Sequence, residues 1–83
     1  MRVNSAKELA LYMQDKRLKD KLSQGAVADL ACMRQATVSA FESKPHASQL
    51  ETLFKLLSAL DLELDVRVKG AIDQDHKIPK LDW

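Results

Sequence analysis

Few residues of this chain are of the types that do covalent or metal chemistry, and their spacing does not assemble them. Cys32, His46 and His76 are the only thiol and imidazoles. They do not fall at the short intervals that let side chains share a metal ion. The cysteine reads as a small, partly buried turn residue and the histidines as surface residues. Asp61, Glu63 and Asp65 read as a solvated helix end and the outer face of a strand, not as a catalytic pair. No glycine-rich loop follows a strand, so nothing predicts a nucleotide site. The expectation is no catalytic residue, no metal and no cofactor. What remains is recognition chemistry. Gln35, Ala36, Ser39 and Ala40 share one side of a helical wheel, are small, and include no acid. A glutamine can donate to and accept from one adenine edge at once, and an alanine can meet a thymine methyl group. The same four residues also fit a solvated helix face with no ligand, and the pattern alone leaves both readings open.

The elements that hold this face are legible from caps and periodicity. Ser5 and Glu8 form an S-x-x-E capping box, which predicts a helix starting near Ala6. Leu9, Tyr12, Met13 and Leu18 give it a patchy apolar side, and Lys16, Arg17, Lys19 and Lys21 a basic end that suits a helix C-terminus. That basic run reads chiefly as a solvated helix end, with phosphate contact as the alternative and a packed, charge-satisfied Arg17 as another. Ser23 is the next N-cap. Val27, Ala28, Leu30 and Ala31 predict a short helix after it, and Cys32 to Arg34 a connector. Gln35 to Glu42 reads as a further helix with Thr37, Val38 and Phe41 turned inward, and Ser43 to Ala47 as a loop. Ser48 and Glu51 form a second S-x-x-E box. Leu50, Leu53, Phe54, Leu56, Leu57 and Leu60 then predict a helix from about Gln49 to Leu60 that supplies much of the core.

After Leu60 the period changes. Leu62, Leu64, Val66 and Val68 alternate with Glu63, Asp65, Arg67 and Lys69, the signature of a half-buried strand ended by Gly70. Residues 71–83 read as a flexible tail closing on Leu81-Asp82-Trp83. A lone strand leaves its backbone groups unpaired. The simplest solution is the same strand of a second copy, forming an antiparallel two-stranded ribbon across a twofold axis. A short helix extension or an unstructured segment is the alternative. The predicted fold is therefore mainly all-α: four helices plus one C-terminal strand, with residues 1–70 as the folded unit and 71–83 as the tail.

With 83 residues only one domain fits. Residues 1–48 carry eight Lys/Arg and five Asp/Glu, and residues 49–83 carry five and seven. The front half is thus basic and the back half acidic, which fits two surfaces with different partners. No run of 18 apolar residues predicts a membrane span. The N-terminus lacks the apolar core of a signal peptide, and the single cysteine favours a reducing compartment; the expected location is cytoplasmic.

The ordered series Leu22-Ser23-Gln24, Val27-Ala28, Gln35-Ala36-Thr37-Val38-Ser39 and Phe41-Glu42 resembles the helix-turn-helix of lambda-repressor/Xre-like DNA-binding proteins. That family shows L-[ST]-Q-x-x-[LV]-A, a turn, then Q-x-[ST]-[IV]-S-x-[IF]-E. Pro45 three residues on, the strand after the last helix, and the Leu-acid-Trp ending narrow the resemblance to HipB-type antitoxins. Two positions depart from the pattern. Cys32 stands where the turn usually has glycine, at a cost of about 1–2 kcal/mol if the backbone is left-handed. Arg34 replaces the usual Ser/Thr N-cap, which sets a cation beside a helix N-terminus unless an anion joins it.

The resemblance implies a dimeric repressor and antitoxin. Its partners would be double-stranded operator DNA, a second copy of itself and a HipA-like serine/threonine kinase toxin, and it would be nucleoid-associated when on DNA. Gln35 and Ala36 would read bases, Ser39 a base or phosphate. Ser23 and Gln24 at a helix start, with Arg34, Thr37 and Lys44, would touch the backbone. Leu62, Leu64, Val66 and Val68 would form the dimer ribbon, and Leu81 and Trp83 would enter a pocket on the toxin. A stand-alone repressor without a toxin, and a protein-interaction module that uses the shape without DNA, are the alternative functions.

Overall fold

Ser5 opens the first helix by accepting the Glu8 backbone N–H at 3.1 Å, while Glu8 Oε1 accepts the Asn4 N–H at 2.7 Å. In this computed structural model, which describes residues 2–69, that box starts α1, Ala6–Lys19. Ser23 does the same for α2, Gln24–Leu30, by accepting the Ala26 N–H at 3.0 Å. The third helix, α3, spans Gln35–Ser43 and the fourth, α4, Leu50–Ala59. Between them Pro45–Ala47 forms a turn of 3-10 helix where a plain loop was expected. Pro45 at its first position supplies the fixed φ that such a start needs. Ser48 closes this turn instead of capping α4; the N-cap is Gln49 and makes no side-chain cap bond. The second capping box therefore does not form.

Three helices end alike. Beyond α1, α2 and α4 the chain turns left-handed at Lys21 (φ 59°), Cys32 (φ 55°) and Asp61 (φ 58°). In each case two bonds close the end. For α2 they are Cys32 N–H to Asp29 O at 3.2 Å and Met33 N–H to Ala28 O at 2.9 Å. This is the Schellman arrangement. The next residues, Leu22, Met33 and Leu62, pack on the core and supply the apolar contact that accompanies it.

The core draws on all four helices: Ala10 and Met13 from α1, Val27, Ala28 and Ala31 from α2 and its end, Val38 and Phe41 from α3, and Leu56, Leu57 and Leu60 from α4. Two expectations fail here. Leu18 and Leu30 are exposed, as are Leu50 and Phe54 of α4, because helical period marks apolar residues without saying which neighbour covers them. Arg17 instead occupies the inward stripe of α1 at 7% exposure. α2 packs against both α3 and α4, and α1 against α3 and the 3-10 turn.

Residues 62–69 form no regular element within the chain. The strand expected over 62–68 has no partner segment among the described residues, and a ladder needs one. The tail and the boundary at residue 70 lie outside the described residues. Among the described residues no helix is long and apolar enough to cross a membrane.

Candidate nucleic-acid interface

The position of α3 is set from below by packing and from one end by charge. Val38 is 1% exposed and Phe41 4%; each buried side chain of this size contributes about 1.5–3 kcal/mol. Beside them Glu42 receives Arg17 in a fork: Nε to Oε2 at 2.8 Å and Nη2 to Oε1 at 3.1 Å. Arg17 Nη1 also donates to the Leu22 carbonyl at 2.9 Å, the residue that closes the end of α1. Both charged side chains are nearly buried, at 9% exposure. Such a pair holds geometry well when every donor and acceptor is used. Glu42 Oε1 accepts in addition from Gln24 Nε2 at 2.9 Å. One network thus ties α1, the start of α2 and the far end of α3. Sequence reasoning allowed a packed Arg17 but missed its partner, which lies 25 residues away.

The opposite side of α3 is open. Gln35, Ala36, Ser39 and Ala40 are exposed, and Thr37 is half-buried at the edge. Arg34 is the N-cap, with φ −78° and ψ 148°, and makes no side-chain cap bond. A cationic residue therefore occupies the N-cap, beside the positive end of the helix dipole, an arrangement that a phosphate would relieve. Lys44, the C-cap, is exposed, and its backbone N–H closes the helix on the Ala40 carbonyl at 2.7 Å. It lies about 13 Å along the axis from Gln35, nine residues at 1.5 Å each.

The start of α2 joins this face. The Ser23 hydroxyl is used as cap acceptor, which leaves its proton to donate. Gln24 is half-buried and spends one amide proton on Glu42, so its role is partly structural; the second proton remains to be given. The Gln35 carboxamide lies over Gly25, with Oε1 3.5 Å from where a side chain on that glycine would begin. Ser23, Gln24 and Gln35 are therefore brought together, with Gly25 between them, while Lys44 stands apart at the other end.

The basic run of α1 is largely self-paired: Lys16 meets Asp20 at 3.0 Å and Lys19 meets Asp15 at 3.2 Å. Cys32 is exposed rather than partly buried, since the left-handed turn points it away from the core. His46 is exposed. Among the described residues no group of three or more His, Cys, Asp or Glu could hold a metal ion.

Of the four residues predicted for the dimer ribbon, Leu62 packs on the core while Leu64, Val66 and Val68 are exposed. Leu62 and Leu64 line a shallow groove with Phe54, Leu57 and Asp61. Leu81 and Trp83 lie outside the described residues.

Residues 13–66 match the family described as Helix-turn-helix. Antitoxin HipB of Escherichia coli strain K12 is 30% identical over 83 residues, covering 99% of this chain and 94% of the relative. The chain belongs to the HipB-type antitoxins of the helix-turn-helix family. HipB of a second Escherichia coli strain, O6:H1, matches to the same degree over 88% of its length. A solved structure titled HipA-HipB-O2-O3 complex superposes with a TM-score of 0.81 at 30% identity, covering 84% of this chain and 99% of that one. A HipB-O1-O2 complex gives 0.79 at 31% identity, over 82% and 99%. The HipB-type antitoxins are helix-turn-helix proteins, not enzymes.

Proposed function

We propose that this antitoxin acts as a homodimer that binds palindromic operator DNA, represses transcription there, and neutralises a HipA-like serine/threonine kinase toxin. The observation that carries the DNA part is the exposed, acid-free side of α3, held by Val38 and Phe41 beneath and by the Arg17–Glu42 pair at its end. Solved structures it superposes on include a HipA-HipB-O2-O3 complex, a HipB-O1-O2 complex and a HipB-O4 20mer complex. In this reading Gln35 and Ala36 meet base edges in the major groove, Ser39 a base or phosphate, and Ser23, Gln24, Arg34, Thr37 and Lys44 the backbone.

The dimer follows from the C-terminal segment. Leu64, Val66 and Val68 expose apolar surface on a stretch with strand periodicity, and a second copy offers both the missing ladder and the missing apolar cover. The protein is then cytoplasmic, and nucleoid-associated when on DNA. Toxin binding rests on the resemblance and on Trp83, whose indole contributes about 2–3 kcal/mol when buried in a pocket, less the ordering of the tail.

Selection from a random duplex pool at fixed salt tests the operator reading. The enriched sites should be inverted repeats with half-sites about 34 Å apart or a multiple of it. Enrichment of no sequence would remove the repressor reading in favour of a protein-interaction module. Calorimetry of Trp83→Ala against the kinase should show weaker toxin binding with operator affinity retained, and unchanged toxin affinity would remove the anchor role.

A further inference from the structure

Gly25 is an anomaly in its element. It is the second residue of the short helix α2, where glycine adds no side-chain packing and loses more conformational freedom on folding than any other residue. Its backbone gives no reason for glycine, since φ at Gly25 lies outside the left-handed region. Nor does a tight approach forbid alanine: a Cβ there would meet its nearest neighbour at 3.5 Å, an ordinary contact. The neighbours are what matter. They are Oε1 and Cδ of Gln35 and Oγ of Ser23, all on the recognition face. A local rule broken without backbone need is what functional positions show.

We propose that Gly25 is a specificity-determining residue that acts through Gln35. With no side chain at 25, the space between the starts of α2 and α3 stays open for the Gln35 carboxamide. That space fixes the angle from which the amide presents its oxygen and nitrogen to a purine edge in the major groove. A side chain longer than a methyl group occupies the same space and turns the amide out of it. The change reaches one base pair, because only one amide is displaced. The inference rests on the operator-binding reading above and names which residue tunes it.

The test is a two-by-two set of full-length proteins: wild type, Gly25→Leu, Gln35→Ala and the double variant. Leucine is a strong helix former, so α2 is preserved, and circular dichroism checks this. Base preference is read position by position from randomised half-sites at fixed salt. Gly25→Leu should change the preference at the Gln35 base pair about tenfold, the size of one bidentate contact, and leave the other positions as they are. In the Gln35→Ala background the same substitution should change no preference. Gly25→Ser, which adds a single hydroxyl within reach of Gln35 Oε1, should shift the same position, and it decides the matter if Gly25→Leu binds too weakly to read. Loss spread evenly over all positions, or equal with and without Gln35, would overturn the proposal and leave Gly25 as a point of close DNA approach. A wild type with no sequence preference would overturn the operator reading itself.

Discussion

The outer faces of α3 and α4 are both exposed, and they are chemical opposites. α3 presents a glutamine, two alanines and a serine, with its one acid turned inward onto Arg17. α4 presents Leu50 at 71% exposure and Phe54 at 52%, and the segment beyond it adds Val66 at 77%. A small, polar, acid-free surface beside two uncapped cations suits a polyanion. Exposed large apolar side chains suit another apolar surface. Exposure alone therefore says only that a face is free; the chemistry of the face says for what. In the proposed reading the two halves of the molecule would divide the labour, DNA on one side and a second copy on the other.

The strongest way to break that division is to remove what holds α3 in place. Arg17→Ala leaves the Glu42 carboxylate nearly buried without its cation, at a cost of about 3–5 kcal/mol. In so small a domain this approaches the whole stability, so thermal unfolding should move to near room temperature. Arg17→Met with Glu42→Gln removes both charges, keeps an acceptor for Gln24, and should recover most of the loss. If the single variant melted like wild type, the pair would hold nothing.

The apolar half is tested by Val66→Asp. Because Val66 is exposed within one chain, helical content should not change. In the ribbon each copy would bury a carboxylate, weakening the dimer by at least about 2–3 kcal/mol. Sedimentation at micromolar concentration reads this directly, and a monomeric wild type would end the ribbon reading.

The polar half is tested next. Gln35→Ala should cost about 1–3 kcal/mol at one base pair. Lys44→Ala, at the far end of α3, should weaken every sequence alike and lower the salt slope by about one counterion. If the two variants behaved alike, the orientation of α3 on DNA would be different from the proposed one.

Much of this division was legible in the residues. The period of 35–42 separates an inward Val38 and Phe41 from an outward Gln35, Ala36, Ser39 and Ala40, and the structure places them so. Local chemistry was legible as well: Ser5 and Ser23 cap, and Arg34 does not. What escaped is non-local or depends on competition. Arg17 reads as one of several basic residues until Glu42 is brought to it across 25 positions. Ser48 looks like a cap, but the 3-10 turn at Pro45 ends on it and the role passes to Gln49. Leu50 and Phe54 fit the apolar stripe of α4, yet no neighbour among the described residues covers them. A strand period over 62–68 names a partner requirement that the described residues do not meet.

The smallest expected effect lies between the two faces, at the turn that joins α2 to α3. Cys32 closes α2 with φ 55°, a conformation in which Cβ crowds the following carbonyl at about 1–2 kcal/mol. The two bonds of the turn, from Cys32 to Asp29 and from Met33 to Ala28, are made by backbone atoms and survive any side chain. The Cys32 side chain is exposed, so its removal forfeits no packing. Cys32→Gly therefore keeps the motif and sheds the strain, while the freer unfolded chain takes back about 0.5–1 kcal/mol. The net gain should be about 0.5–1 kcal/mol, a rise of roughly 4–8 °C per kcal/mol in a domain of this size. Since Cys32 lies on neither face, operator affinity and dimerisation should stay at wild-type values. A gain in stability accompanied by a change in DNA affinity would place the turn itself against the DNA backbone and move the boundary between the two faces.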